Sequence, residues 1–250
     1  DENTLQPFIV DSQGQLLHIE NSWDTGSSRA TLFTDYNHYT FEIQINNLFS
    51  KDVHALAKKD NNGKDDYRLR FGGRFDYDIN NTLNLAMGAE HETRSTDDYR
   101  FYFKDNPDAP IATLLENKKV DEISVYAQLD YSYEDWRFLI GGRFTDNEIS
   151  GDKVTPRAAL VYMIDEHQSI KALYSSGFNS PNKVQTSLNP TDEAATLIGN
   201  DALTAEIVKT TDVAYSYSKS NILFVANVYH LQAEDFIVRR SIDNSSVISF

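Results

Sequence analysis

The chain has 250 residues, 40% hydrophobic and 24% charged, with net charge −15, a pI of 4.7 and no cysteine. That composition excludes a disordered polymer, a disulfide framework and a thiolate metal site, and its acidity argues against a nucleic-acid partner, which needs a basic face. The longest apolar run, residues 158–164, is far shorter than the roughly 20 residues of a membrane-spanning helix. No leader-like segment opens the chain, so any signal peptide is expected outside these residues.

Residues 1–50 show alternation, with a medium loop expected around 22–28 and a tight turn at 37–38 between Tyr36 and Tyr39. A long polar excursion follows at about 48–65 and contains KDVHALAKKDNNGKDD. From 67 to 78, Tyr67, Leu69, Phe71, Phe75 and Tyr77 share one face, and Arg68, Arg70, Arg74, Asp76 and Asp78 share the other. After a tight turn at 79–81, Leu83, Leu85, Met87 and Ala89 oppose Asn84, Ala86, Gly88 and Glu90. A second long excursion covers about 93–118 and contains YRFYF at 99–103.

The strand at 124–133 sets Val125, Ala127, Leu129 and Tyr131 against Ser124, Tyr126, Gln128 and Asp130. Past a tight turn at 134–135, Phe138, Ile140 and Phe144 oppose Arg137, Leu139 and Arg143. A medium loop at 146–153, a tight turn at 165–167, the longest excursion at 178–205 and a tight turn at 218–220 complete the pattern.

Alternation alone leaves a soluble antiparallel sheet open. Length argues against it: several runs hold the pattern for ten or more residues, whereas soluble strands usually span about 5–6 and bilayer-crossing strands about 9–11. Connections alternate short and long, so in an up-and-down meander all the long loops share one end, as in transmembrane barrels. Each short turn also has a Tyr or Trp within a few residues, as an interfacial aromatic girdle requires. Arg68, Arg70 and Arg74 on one strand could not all face lipid, where each costs about 2–4 kcal/mol near the midplane. Their face, with Gln128 and Arg143, is therefore expected to line a hydrated or protein-filled interior, leaving Phe71, Phe75, Leu129, Phe138 and Ile140 toward lipid.

Several stretches resemble one family in order. LYSSGFNSPNK (173–183) resembles the "GFRSP" strand end of TonB-dependent outer-membrane receptors, and SVYAQLDYSYEDWRFLIGGRF (124–144) resembles their "YxQxdY…GxR" hairpin. VTPRAALVY (154–162) resembles "xPRxxLxY", GNDALTAEIVKTTDVAYSY (199–217) resembles "GNPxLkPE…xExGy", and NILFVANVYHLQAEDFIVRR (221–240) resembles the strand after it. Two departures stand out: Asp201 and Thr204-Ala205 replace the family's prolines, and Asn179 stands where Arg is common.

The resemblance implies an all-β fold, an antiparallel up-and-down transmembrane β-barrel. Residues 1–250 would supply about twelve strands of a larger, 22-stranded barrel whose N-terminal plug and remaining strands lie outside this chain. It also implies active uptake of a siderophore, cobalamin, haem or oligosaccharide across a Gram-negative outer membrane. The TonB complex would act through the plug, with lipid and lipopolysaccharide around the wall. Such a protein is not an enzyme and needs no cofactor. A passive porin and a soluble secreted glycan-binding protein are the alternatives.

No catalytic constellation is visible. The six histidines, at 18, 38, 54, 91, 167 and 230, lack metal-ligand spacing, and DNNGKDD (60–66) lacks the closing glutamate of a calcium loop. The acidic pairs Asp65-Asp66 and Asp97-Asp98 read as solvated faces that could meet divalent ions near lipopolysaccharide. Tyr99, Tyr102 and Phe103 lie beyond the lipid-crossing part of their strand; they either pack on neighbouring loops or form an aromatic ligand platform. Phe178 and Asn179, at the mouth of the longest excursion, are the other ligand-binding candidates.

Overall fold

The computed structural model describes residues 9–45, 55–59, 66–103, 106–188, 197–241 and 248–249. Its first strands are β1 (Ile9–Asp24), β2 (Ser28–Ile45), β3 (Ala55–Lys59), β4 (Tyr67–Asn80), β5 (Leu83–Thr96), β6 (Tyr99–Phe103), β7 (Asn106–Leu115) and β8 (Lys118–Tyr133). There follow β9 (Trp136–Asn147), β10 (Gly151–Asp165), β11 (Gln168–Asn179), a one-turn helix α1 (Lys183–Ser187), β12 (Leu197–Ile198), β13 (Glu206–Lys219), β14 (Ile222–Glu234), β15 (Arg240–Ser241) and β16 (Ile248–Ser249).

Ten long strands build one continuous antiparallel wall in the order β1-β2-β4-β5-β8-β9-β10-β11-β13-β14. With β3, β6 and β7 the sheet has thirteen strands, against about twelve expected. Every wall strand neighbours the next wall strand in sequence, which is the up-and-down order. They run from 12 to 18 residues, far beyond the roughly 5–6 of soluble sheets.

Burial is inverted. Among the described residues the buried apolar side chains are Tyr102, Val120 and Ala205, whereas Glu92, Thr93, Ser95, Asp97, Ser124, Thr145 and Asn147 are among the buried polar ones. Large apolar side chains such as Phe71, Ile140 and Val213 lie exposed along the wall. In water this distribution would forfeit most of the hydrophobic stabilisation of folding; a surrounding hydrocarbon phase removes that objection.

The short turns gather at one end, at 25–27, 81–82, 134–135, 166–167 and 220–221, and backbone bonds tie neighbours there, including Asp78 N–H to Ser27 O and Ser132 N–H to Thr82 O. The connections at 46–66, 97–117, 148–150 and 180–205 share the other end. Two expectations need correction. No turn exists at 37–38: β2 runs straight through, with Asn37 paired to Leu16 on one side and Arg68 on the other. The connection expected as a medium loop at 22–28 is instead the first tight turn, where Gly26 adopts φ +78°, a conformation open chiefly to glycine. Its girdle ring is Trp23; Tyr36 lies toward the other end and stacks on Tyr67, centroids 6.2 Å apart.

At the long-loop end β2 outruns β4, and its residues 43–45 pair with β3. β3 pairs with β6, and β6 with β7. The described strands of the first two excursions thus pair with each other and extend the same sheet beyond the wall at that end. The third supplies α1, whose N-cap Asn182 accepts from Gln185 N–H while Gln185 reaches back to Asn182 N–H, a reciprocal capping box. A separate three-stranded sheet joins β12, β16 and β15.

Candidate functional site

Strand alternation and register carry the polar side chains to one face. One register row there reads His18, Asp35, Arg70, Glu92, Glu122, Asn147 across β1, β2, β4, β5, β8 and β9. Arg70 Nη2 donates to Asp35 Oδ2 at 2.6 Å, and His18 Nδ1 meets Asp35 Oδ1 at 2.5 Å. Glu92, almost fully buried, accepts from Arg68 Nη2 at 2.5 Å and from Arg94. Arg94 also reaches Glu122, 3.6 Å away, which accepts from Asn147 Nδ2 at 2.6 Å. One row nearer the short turns, Glu90 accepts from Arg143 and lies 3.9 Å from Arg70. Arg74 pairs with Asp76 on its own strand, and Arg137 with Asp130.

Two rings lie among these charges. Phe33 sits under the Arg70 guanidinium, 5.0 Å from carbon to centroid, and Tyr126 sits 6.0 Å from that of Arg143. Glycine makes the room. A Cβ at Gly72 would come within 2.7 Å of the Phe33 ring, and one at Gly88 within 2.5 Å of Tyr126. The arrangement is a wall of mutually neutralised charges and flat rings, stable in contact with water and devoid of a nucleophile–base pair. No group of three or more metal-binding side chains occurs among the described residues.

All five residues expected on the polar face (Arg68, Arg70, Arg74, Gln128 and Arg143) fall on one side by register, and Phe71, Phe75, Leu129, Phe138 and Ile140 on the other. Near the short turns the apolar side carries stacked rings: Trp136 on Tyr162 at 4.3 Å, Tyr131 on Phe138 at 6.3 Å and Phe75 on Tyr77 at 6.2 Å.

The aromatic candidates divide. Tyr102 is 3% exposed, so its ring is used within the protein, whereas Phe103 on the opposite face of β6 is 41% exposed; the side chain of Tyr99 lies outside those described. Phe178 and Asn179 pair with Ile207 and Glu206 of β13, where Asn179 Nδ2 donates to Glu206 Oε2 at 2.9 Å. They share no strand pairing with β6, which pairs with β3 and β7 instead. Gly63 and Asp65 of the first excursion lie outside the described residues.

Sequence reasoning missed the acidic half of the wall (Asp35, Glu92 and Glu122) and the docking residue Lys183. Its ammonium donates to the carbonyls of Glu116 and, at 3.5 Å, Thr96, so α1 is held against both ends of the second excursion. Burial pulls its pKa down to about 8, opposed chiefly by the nearby Asp98 carboxylate. Ser150 and Ser180 hydroxyls, 2.7 Å apart, add a second tie between loops.

The β-barrel model of the TonB-dependent-receptor-like family matches residues 5–249. The chain belongs to that family. Its members are receptors and transporters of the outer membrane, not enzymes. No curated protein matches the sequence. Among solved structures, the siderophore receptor PirA from Acinetobacter baumannii superposes with a TM-score of 0.69 at 15% identity, over 94% of this chain and 36% of that one. The copper transporter OprC gives 0.68 at 12% identity, over 98% and 43%. The ferric yersiniabactin uptake receptor FyuA from Yersinia pestis gives 0.67 at 12% identity, over 91% and 37%. At these identities the likeness is one of fold, and the chain spans less than half the length of each.

Proposed function

We propose that this chain is part of the wall of an outer-membrane receptor that takes up a scarce ligand with energy delivered by the TonB complex. The observation that supports the reading is a sheet with exposed apolar side chains along one face and paired charges along the other, on a chain matched almost throughout by the receptor-barrel family. The polar face then lines the lumen, with Arg68, Arg70, Arg74, Gln128 and Arg143 inward, and the apolar face meets lipid and lipopolysaccharide. β1 and β14 bound the wall among the described residues, which suits ten strands of a 22-stranded barrel around a separate plug. The loop rim, with Phe103, Phe178 and Asn179, stands at the extracellular mouth where ligand arrives. Structural neighbours named as siderophore receptors and a copper transporter favour a metal chelate among the possible ligands. The test is uptake of ferric siderophores by cells carrying the full receptor. Collapse of the proton-motive force should abolish uptake; uptake that continues would point to a passive pore.

A further inference from the structure

The apolar face is not uniformly bulky. Two adjacent register rows cross it: Leu32, Gly73, Ala89, Val125, Phe144 and Val154 from β2 to β10, and Ala30, Phe75, Met87, Ala127 and Gly142 from β2 to β9. Small residues follow one another diagonally between large ones, and they floor a depression of 870 Å³ framed by Leu32, Phe75, Met87, Val125, Phe144 and Val154. That volume lies within the roughly 300–1,000 Å³ of sites that hold small molecules. Side chains at the two glycines would project into it. At Gly142 a Cβ would meet nothing nearer than 3.9 Å, and at Gly73 it would meet the movable Leu32 side chain at 3.0 Å and the Thr31 carbonyl oxygen at an ordinary 3.7 Å.

We propose that this depression is a seat for one acyl chain of the surrounding lipid. The proposal rests on the outward assignment of the apolar face. Its continuity with the exposed band of Phe71, Leu129, Phe138 and Ile140 on the same face places hydrocarbon at its mouth. Water gains nothing there, because the wall's backbone polar groups are already spent on sheet pairing. An empty notch would forfeit dispersion contacts on every lining atom, so the adjacent hydrocarbon fills it. Five strand spacings separate β2 from β10, about 24 Å. That exceeds the roughly 15 Å of one bilayer leaflet's hydrocarbon, so the groove takes a chain laid obliquely rather than a chain end. A seated chain touches the small-residue floor and the raised side chains beside it, whereas a chain on the flat wall touches one surface only, and it therefore exchanges more slowly.

The test uses the full receptor in vesicles of phosphatidylethanolamine with a trace of the same lipid bearing a mid-chain diazirine. After irradiation, crosslinked residues are mapped by mass spectrometry. Crosslinks should concentrate on Gly73, Ala89, Ala127 and Gly142 relative to Leu129 and Ile140, and Gly142→Leu with Ala127→Leu should lower them several-fold there alone. Should that double variant fail to assemble, Val154→Ala, which lowers one rim, should lower them as well. Equal labelling of groove and flat wall would overturn the seat while leaving the outward assignment intact. Labelling of the Gln128 and Arg143 face instead would overturn the outward assignment itself.

Discussion

Gly88→Ala probes the ring-on-glycine construction of the polar wall directly. The added Cβ would stand 2.5 Å from two Tyr126 ring atoms and 2.6 Å from the Gly73 carbonyl oxygen, where ordinary contacts begin near 3.4 Å. The ring can tilt only at the expense of its place beside Arg143, and the carbonyl belongs to the β4–β5 ladder. Overpacking of this kind costs about 1–3 kcal/mol, against a gain of at most about 1 kcal/mol from replacing glycine in a strand. Gly177→Ala is the control, because its Cβ would meet nothing within 4 Å, and it should be neutral or stabilising by up to about 1 kcal/mol. Reversible urea unfolding of the receptor in lipid should show a lower midpoint with unchanged slope for Gly88→Ala. Added to Tyr126→Ala, the same substitution should cost less, since only the carbonyl clash remains. If Gly88→Ala and Gly177→Ala prove equally stable, the close approach of Tyr126 is wrong.

Phe71→Arg should destabilise by about 2–4 kcal/mol if it faces lipid near the midplane, and Gln128→Arg far less; equal costs in the same unfolding assay would refute the assignment of faces. Cysteines placed at Asn117 and Glu166 should differ in whole cells, the first reacting with an impermeant maleimide and the second not; the reverse pattern would invert the topology. Lys183 titrates near 8 when docked and near 10.5 when free, so the free loop holds more protons between those values and docking strengthens as pH rises through that window, with no change below it. The docked distance between spin labels at Asn117 and Val184 should therefore become more populated from pH 8 upward, and Lys183→Met should abolish the trend.

Where strands are long and one-sided, alternation alone located them, because period two is enforced by the two solvents the faces meet. The reading failed where a local signal competed with pairing. Asn37-His38 between two tyrosines has turn composition, yet Asn37 is held on both sides, by Leu16 and by Arg68, and two ladders outweigh a turn preference. The true turn carried its own mark in Gly26, set against Trp23, and was placed at the wrong end of the barrel only because the false turn shifted the count. The capping box of α1 was equally legible in Asn182 and Gln185. The pairing of β3 with β6 was not: Ala57 and Phe101 lie 44 residues apart in sequence, and nothing local in either names the other.

The same limit governed the site. Arginines stand out on a strand as violations of the apolar pattern, and they fixed the polar face at once. Their partners do not stand out, because Asp35, Glu90 and Glu92 sit on strands where a polar residue is expected at every second position. Only register tells that Asp35 opposes Arg70 and that Glu92 can reach Arg68 and Arg94 together. That distinction changes the functional reading. A wall of unmatched cations would hold an anionic ligand tightly and release it slowly, whereas charges already paired offer a passing ligand little net attraction. In the proposed receptor, tight capture then belongs to the loop rim and to the plug, and the wall supplies a wetted surface along which ligand can move once it is released.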